Sequence, residues 1–227
     1  MDILQNKPPE PIKPKKERLS RTLGSKQFID KKFSELPFEG IFLESFGTPE
    51  ENFSMLIYGA SGHGKTEGEV MICKELTKYG NVYFNSKEQG HSLSLQTAWK
   101  RNKMEDVDGK IQLANKEAYP QMIQRLKRKK SAKIVFIDSV QHIGLTYDSW
   151  KELRAMFPKK IFVMISHAEG KRPAGAAAKS IEYDVDIKCF VKDFLMYVSS
   201  RFGGSKPFMI YEKGHRDRKA QRKKQKG

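Results

Sequence analysis

The chain has 227 residues, enough for one ordinary domain and too few for two comfortable ones. Its 43 Lys and Arg against 27 Asp and Glu give a formal net charge of +16, while 38% hydrophobic and 11% aromatic residues exclude a wholly disordered chain. Cys73 and Cys189 have neither CxxC spacing nor paired histidines nearby, which argues against a disulfide scaffold or a zinc knuckle and fits a reducing cytosol.

The chain begins with a basic arm, residues 1–32, carrying 9 basic and 4 acidic residues. Pro8, Pro9, Pro11 and Pro14 lie among its lysines, so an extended, mobile segment is expected, and its polarity argues against a secretory signal. Residues 33–212 carry a net charge of only +4 and read as the globular domain. Ser54 to Tyr58 is a short apolar strand ending in Gly59. From Glu67 to Tyr79, Val70, Met71, Cys73 and Leu76 fall at helical spacing, and Gly80 stops the helix. Asn81 to Asn85 is a second strand, Leu93 to Asn102 a helix, and Lys110 to Ala114 a weak third strand. Ala118 to Lys130 is a helix with Pro120 in its first turn.

Lys133 to Asp138 is the strongest strand of the chain. A helix from Tyr147 to Phe157 follows, ended by Pro158, and then a strand from Lys160 to Ser166. Asp186 to Lys192, Asp193 to Ser199 and Pro207 to Tyr211 are three strand-like runs with little between them. The front alternates strand and helix and the back is a meander. That pattern predicts an α/β fold: a mostly parallel sheet flanked by helices, with a C-terminal antiparallel β extension. Residues 213–227 hold 8 basic and 1 acidic residue and almost nothing apolar, so a disordered tail is expected. No apolar run approaches the roughly 20 residues of a membrane helix.

Gly59-Ala-Ser-Gly-His-Gly-Lys-Thr66 matches G-x-x-x-x-G-K-[ST] without a mismatch, between a strand and an amphipathic helix. In such a P-loop the glycines let consecutive N–H groups face the phosphates, and the helix adds its positive end. Gly59, Ala60, Ser61, Gly62, His63, Gly64, Lys65, Thr66 and Glu67 therefore form the candidate nucleotide-binding set. Lys65 reaches the β- and γ-phosphates, and Thr66 offers its hydroxyl to Mg²⁺. His63 fills a variable position of the motif, where an exposed loop residue is the plainer reading. Asp138 ends an apolar strand, which places it at the C-terminal edge of the sheet as the carboxylate for Mg²⁺.

A family resemblance joins these motifs. Ile161-Phe-Val-Met-Ile-Ser-His-Ala-Glu-Gly170 resembles a strand and turn of the RadA/Sms branch of RecA-like ATPases. Ile181-Glu-Tyr-Asp-Val-Asp186 is similar to that branch's Leu-Glu-His-x-Val-Asp, and Ser199-Ser-Arg-Phe-Gly203 to its Lys-Asn-Arg-Phe-Gly. Val82-Tyr-Phe-Asn-Ser-Lys-Glu88 resembles its second strand, and DnaB-type helicases share the core. The resemblance implies a RecA-like P-loop ATPase using ATP and Mg²⁺, with Glu88 orienting the attacking water. It further implies that His167 senses the γ-phosphate and that Arg201 reaches a neighbouring subunit's nucleotide. The family's lysine before this arginine is Ser199 here, with Lys206 as a nearby substitute. The zinc module and protease-like domain of RadA/Sms have no counterpart in the sequence, so the picture is a motor core with arms, like a compact phage or mobile-element version.

By the same resemblance, the loop from Ala168 to Ser180 faces the centre of a ring or filament. Lys171, Arg172 and Lys179 there are candidate DNA contacts in a flexible basic segment. The run Arg125 to Lys130 is a second basic patch, at a helix end that favours cations anyway. The basic arms suit an anionic polymer, because each neutralised phosphate releases a counterion. The expected partners are DNA, single-stranded in preference to double-stranded, further copies of the chain, and a replication or recombination protein. The expected setting is the cytoplasm of a bacterial or phage-infected cell, on DNA recombination, repair or replication. A nucleotide switch, loading or adapting a protein partner with little turnover, is the alternative. A small-molecule kinase is a third class, disfavoured because no arginine-bearing lid is evident.

Overall fold

A computed structural model describes residues 21–224 of the chain. The described residues fall into two units that part between Phe33 and Ser34. The first holds a short helix, α1 (Ser25–Ile29), with Phe28 and Phe33 edge to face at 6.4 Å and Lys31 over the Phe33 ring. The expectation of an extended arm over residues 1–20 lies outside the described residues.

The second unit opens with α2 (Gly40–Phe46), which leads to β1 (Ser54–Gly59) and α3 (Lys65–Leu76). It continues through β2 (Val82–Ser86), α4 (Leu93–Arg101), a single 3₁₀ turn (Met104–Val107), β3 (Ile111–Asn115) and α5 (Tyr119–Leu126). Then come β4 (Ile134–Asp138), α6 (Val140–Ile143), α7 (Tyr147–Met156), β5 (Ile161–Glu169) and β6 (Arg172–Pro173). The chain closes with α8 (Ala176–Asp184), β7 (Ile187–Lys192), β8 (Leu195–Ser200), β9 (Phe208–Met209) and α9 (Glu212–Lys224).

The sheet runs β3-β2-β4-β5-β1-β7-β8-β9, with β6 paired to the end of β5. The six strands from β3 to β7 in that order are parallel, and β8 and β9 extend them antiparallel. The parallel strands are apolar on both faces because helices cover both. On one face Met55, Ile57, Phe84, Phe136 and Val163 pack under Val70, Cys73 and Leu76 of α3 and Leu95 of α4. Phe84 and Phe136 stack at 5.2 Å across β2 and β4. On the other face Leu56, Tyr83, Val135, Ile137 and Phe162 pack under Met122 of α5, Trp150 of α7 and Ile181 of α8. The Trp150 indole Nε1 donates to Asp184 Oδ2 at 2.6 Å and ties α7 to α8. Cys73 and Cys189 are buried and unpaired. No helix among the described residues is long and apolar enough to cross a membrane.

Three segments differ from their expected state. Ala168–Ser180 is not an open loop: β5 continues to Glu169, β6 pairs back on it, and α8 starts at Ala176. Alanine is the strongest helix former, and Ala178 and Ile181 bury against the core, so the segment gains more by folding than by staying solvated. The tail beyond Lys213 is helical up to Lys224. Gly214 allows it to approach the Phe194 and Tyr211 rings, where a Cβ would clash. Arg218 and Arg222 both pair with Asp193, the residue at the tip of the β7–β8 hairpin. The run expected at Pro207–Tyr211 shortens to the two residues of β9.

Candidate functional site

β1 ends on Gly59, where a Cβ would run into the Val191 carbonyl of the neighbouring strand. Gly62 and Gly64 take φ of +73° and +99°, a region closed to most side chains, so the loop curls back and α3 starts at once on Lys65. The cavity in front of the loop measures about 340 Å³. Lys65, Thr66, Glu69, Glu88, Asp138 and His167 line it, with Ser61, Gly62, Gly64 and Glu67 of the loop. Strand order brings them together: β1, β5, β4 and β2 are neighbours and all end at this edge.

The Lys65 ammonium rests on the Ala60 carbonyl at 3.2 Å, across the curled loop. Burial lowers its pKa, against the opposing fields of Glu88, Glu69 and Asp138. The Thr66 hydroxyl accepts from Gln89 Nε2 at 2.9 Å. Asp138 is buried, accepts from the Ser86 hydroxyl at 3.3 Å, and lends its carbonyl to the Glu88 N–H at 2.8 Å. Burial, and then the Glu88 charge, push the Asp138 carboxyl up to about 7. Glu88 Oε2 lies 3.4 Å from His142 Nδ1 and 3.4 Å from His167 Nε2.

Several residues that matter here were not singled out in the sequence. Glu69 follows Thr66 by three residues, so it shares a helix face with it. Its side chain is 1% exposed, and Oε2 has no hydrogen-bond partner. Burial, with the Asp138 charge next, raises its pKa well above the carboxylate range. Two buried carboxyls and the Thr66 hydroxyl make a hard oxygen-donor set, and with Lys65 as the one cation among the described residues that line the cavity beside them the set is short of positive charge, which fits a Mg²⁺ ion. The helical spacing from Thr66 could have flagged Glu69. Nothing local could have flagged His142 or Gln89.

The other predicted residues separate. Glu67 lines the cavity, but its carboxylate is held by Arg101 and by Asn102 Nδ2. Ala60 and His63 face a neighbouring hollow that Lys171, Lys192 and Arg222 also line. His63 is not an exposed loop residue. Its Nδ1 lies 3.2 Å from Asp193 Oδ1, and Nε2 lies 3.2 Å from Arg218 Nη2. Burial first, then the Arg218 charge, lowers its pKa. Phe194, at a positive φ of 60°, donates its N–H to the His63 carbonyl at 2.9 Å. The hairpin tip and α9 thus clamp the back of the loop. Arg201 lies at the opposite edge of the sheet, since Ser200 pairs with Ile187 and Ile187 with Met55 near the start of β1. It bonds Asp186 Oδ1 and the Tyr183 carbonyl. Lys206, the nearby substitute for the family's lysine, pairs with Glu44. Arg172 pairs with Glu182 and Lys179 with Glu169, while Lys171 is exposed.

Asp138 makes the stability of the chain depend on pH. An acid whose folded pKa lies above its unfolded value stabilises the fold at low pH and loses that contribution as pH rises through the folded pKa. In the metal-free chain, Asp138→Asn is therefore expected to exceed wild type in stability by about 1–2 kcal/mol at pH 5, widening to a few kcal/mol at pH 8, because the contribution is lost progressively between the unfolded and the folded pKa. Equal melting at both pH values would show that Asp138 ionises as freely as an exposed carboxylate.

The fold and loop together define a RecA-like P-loop architecture. Among solved structures, the chain resembles the KaiC-like protein PH0186 from the hyperthermophilic archaeon Pyrococcus horikoshii OT3, with a TM-score of 0.54 at 16% identity. The match covers 78% of this chain and 94% of that one. No family model matches the sequence, and no curated protein does.

Proposed function

We propose that the chain is an ATPase that binds Mg·ATP at the P-loop and acts on DNA in recombination, repair or replication. The observation that carries the ATPase reading is the convergence of Lys65, Thr66, Asp138 and Glu88 on one cavity. The loop N–H groups and Lys65 hold the phosphates. Thr66 and Asp138 would hold Mg²⁺, with Glu69 beside them. When bound, the ion neutralises charge on the β- and γ-phosphates. Glu88 orients a water for attack on the γ-phosphate and accepts its proton. His167, 3.4 Å from Glu88, exchanges that contact for one to the γ-phosphate when ATP is bound.

The DNA part rests on charge. Lys213, Arg216, Lys219, Lys223 and Lys224 are exposed along α9, and Lys171 is exposed beside the hollow that Arg222 also lines. Lysine and arginine side chains are the usual contacts to phosphate oxygens. Single-stranded DNA is expected to raise ATP turnover at low salt, with the stimulation falling steeply as salt rises and Lys65→Ala as the inactive reference. Turnover indifferent to DNA at every salt concentration would remove the DNA part and leave the ATPase.

One observation favours the switch reading. Glu88 is engaged by two histidines and Arg201 by Asp186, an arrangement suited to holding ATP with slow turnover. ATP binding without multiple turnover, with DNA and self-assembly both present, would select it.

A further inference from the structure

We infer that Glu88, His142 and His167 form a binding site for a transition-metal dication of the zinc type, separate from the Mg²⁺ position, and that its occupation switches hydrolysis off. The ligand atoms Glu88 Oε2, His142 Nδ1 and His167 Nε2 all lie within 4.8 Å of one another. Both carboxylate-to-imidazole separations are 3.4 Å. Zn–N and Zn–O bonds of about 2.0–2.1 Å at tetrahedral angles put ligand atoms roughly 3.3–3.4 Å apart. Two edges of the tetrahedron therefore stand at the required length before any metal arrives.

The donor types set the ion. Two imidazoles and one carboxylate suit zinc and its neighbours, whereas Mg²⁺ prefers oxygen donors alone. The two sites thus divide by chemistry: Thr66, Asp138 and Glu69 offer oxygen alone, and the triad offers two nitrogens and one oxygen. Three protein ligands leave a fourth position open, and the triad is exposed enough for water to fill it, with side-chain exposures of 27%, 44% and 34% for Glu88, His142 and His167. The supports are rigid. Glu88 is anchored by its N–H to the Asp138 carbonyl, His167 lies within β5, and His142 follows β4 on α6. The Ser139 hydroxyl touches His142 Nδ1 at 2.8 Å and competes with the metal for that nitrogen, which moderates affinity.

The consequence for turnover rests on the reading of Glu88 given above. A carboxylate oxygen bonded to zinc cannot take the proton of the attacking water, and a zinc-held His167 cannot turn to the γ-phosphate. Zinc would therefore stop turnover without displacing Mg·ATP.

The test titrates Zn²⁺ alone into the nucleotide-free full chain by calorimetry, with excess Mg²⁺ present throughout. Wild type is expected to bind one zinc per chain. His142→Ala and His167→Ala should each weaken binding by at least about 10–100-fold, the loss seen even for supporting groups at metal sites. Co²⁺ in place of Zn²⁺ should give the visible absorption of a tetrahedral complex in wild type and not in His142→Ala. No zinc binding by wild type, or binding unchanged in both histidine variants, overturns the site. Turnover is then measured with and without Zn²⁺, each variant against its own zinc-free rate. Inhibition of wild type and resistance of His142→Ala support the switch, and full turnover with zinc bound overturns it. Because calorimetry needs no hydrolysis, a chain that binds zinc but never turns over ATP retains the site and loses only the ATPase reading.

Discussion

Glu88→Gln is expected to lower ATP turnover by about 10²–10⁴-fold, the range of a positioned general base, while ATP affinity stays within a few-fold. The substitution keeps the size of the side chain and the backbone bond from the Glu88 N–H to the Asp138 carbonyl. It removes the proton acceptor and leaves the phosphate-holding loop and Lys65 untouched. A parallel Lys65→Ala chain should lose nucleotide affinity as well, which separates holding the phosphates from activating water. Single-turnover measurement with pre-bound ATP decides the matter. Unchanged turnover in Glu88→Gln would remove Glu88 from the chemistry and leave it as a partner of His142 and His167.

Arg201→Ala is expected to lower turnover by roughly 10³–10⁵-fold if the arginine acts on a neighbour's nucleotide. Its position forbids a role in its own subunit, since it lies level with the beginning of β1 and the P-loop follows the end. A head-to-tail assembly would bring such a residue to the next copy's P-loop edge, and an interface of that kind would build rings or filaments. Mixing supplies the decisive experiment. Chains carrying Arg201→Ala keep an intact nucleotide site, and chains carrying Lys65→Ala keep the arginine. Neither should turn over ATP alone, and the mixture should recover a measurable fraction. Melting should hardly move, because the Arg201 side chain is 58% exposed and its pairing with Asp186 is worth about 0–1 kcal/mol. Loss of activity that mixing cannot rescue would place Arg201 with Asp186 as a structural strut under the β1 entry, where Asp186 already holds the Ser54 N–H and hydroxyl at 2.8 Å each.

Hydrophobic pattern made most of the core architecture legible. Strands buried on both faces need continuous apolar runs, and Ser54–Tyr58, Lys133–Asp138 and Lys160–Ser166 could scarcely be anything else. The P-loop was legible for a different reason: its chemistry is local. Backbone curvature, phosphate contacts and the first helical turn all lie within eight consecutive residues, so the motif carries its own geometry. Asp138 was legible because a strand that ends in a carboxylate at a parallel sheet's C-terminal edge has only one place to put it.

What failed to show depended on partners distant along the chain. α9 has no apolar stripe of its own, and its order comes from Asp193 on the hairpin tip and from the close approach that Gly214 permits. Ala168–Ser180 read as a loop because glycines, basic and small residues dominate it, and only the core face that Ala178 and Ile181 meet decides for the helix α8. Glu69 carries no signal of its own in the sequence, and its character comes from burial beside Asp138 and Lys65. Glu88, His142 and His167 lie far apart in sequence, and no spacing rule joins them. The P-loop, the acidic end of β4 and the alternation that makes a parallel sheet each follow from neighbouring residues. The order in which β2, β4, β5 and β1 lie side by side was decided by tertiary packing alone, and that order makes one site of side chains contributed by separate strand ends.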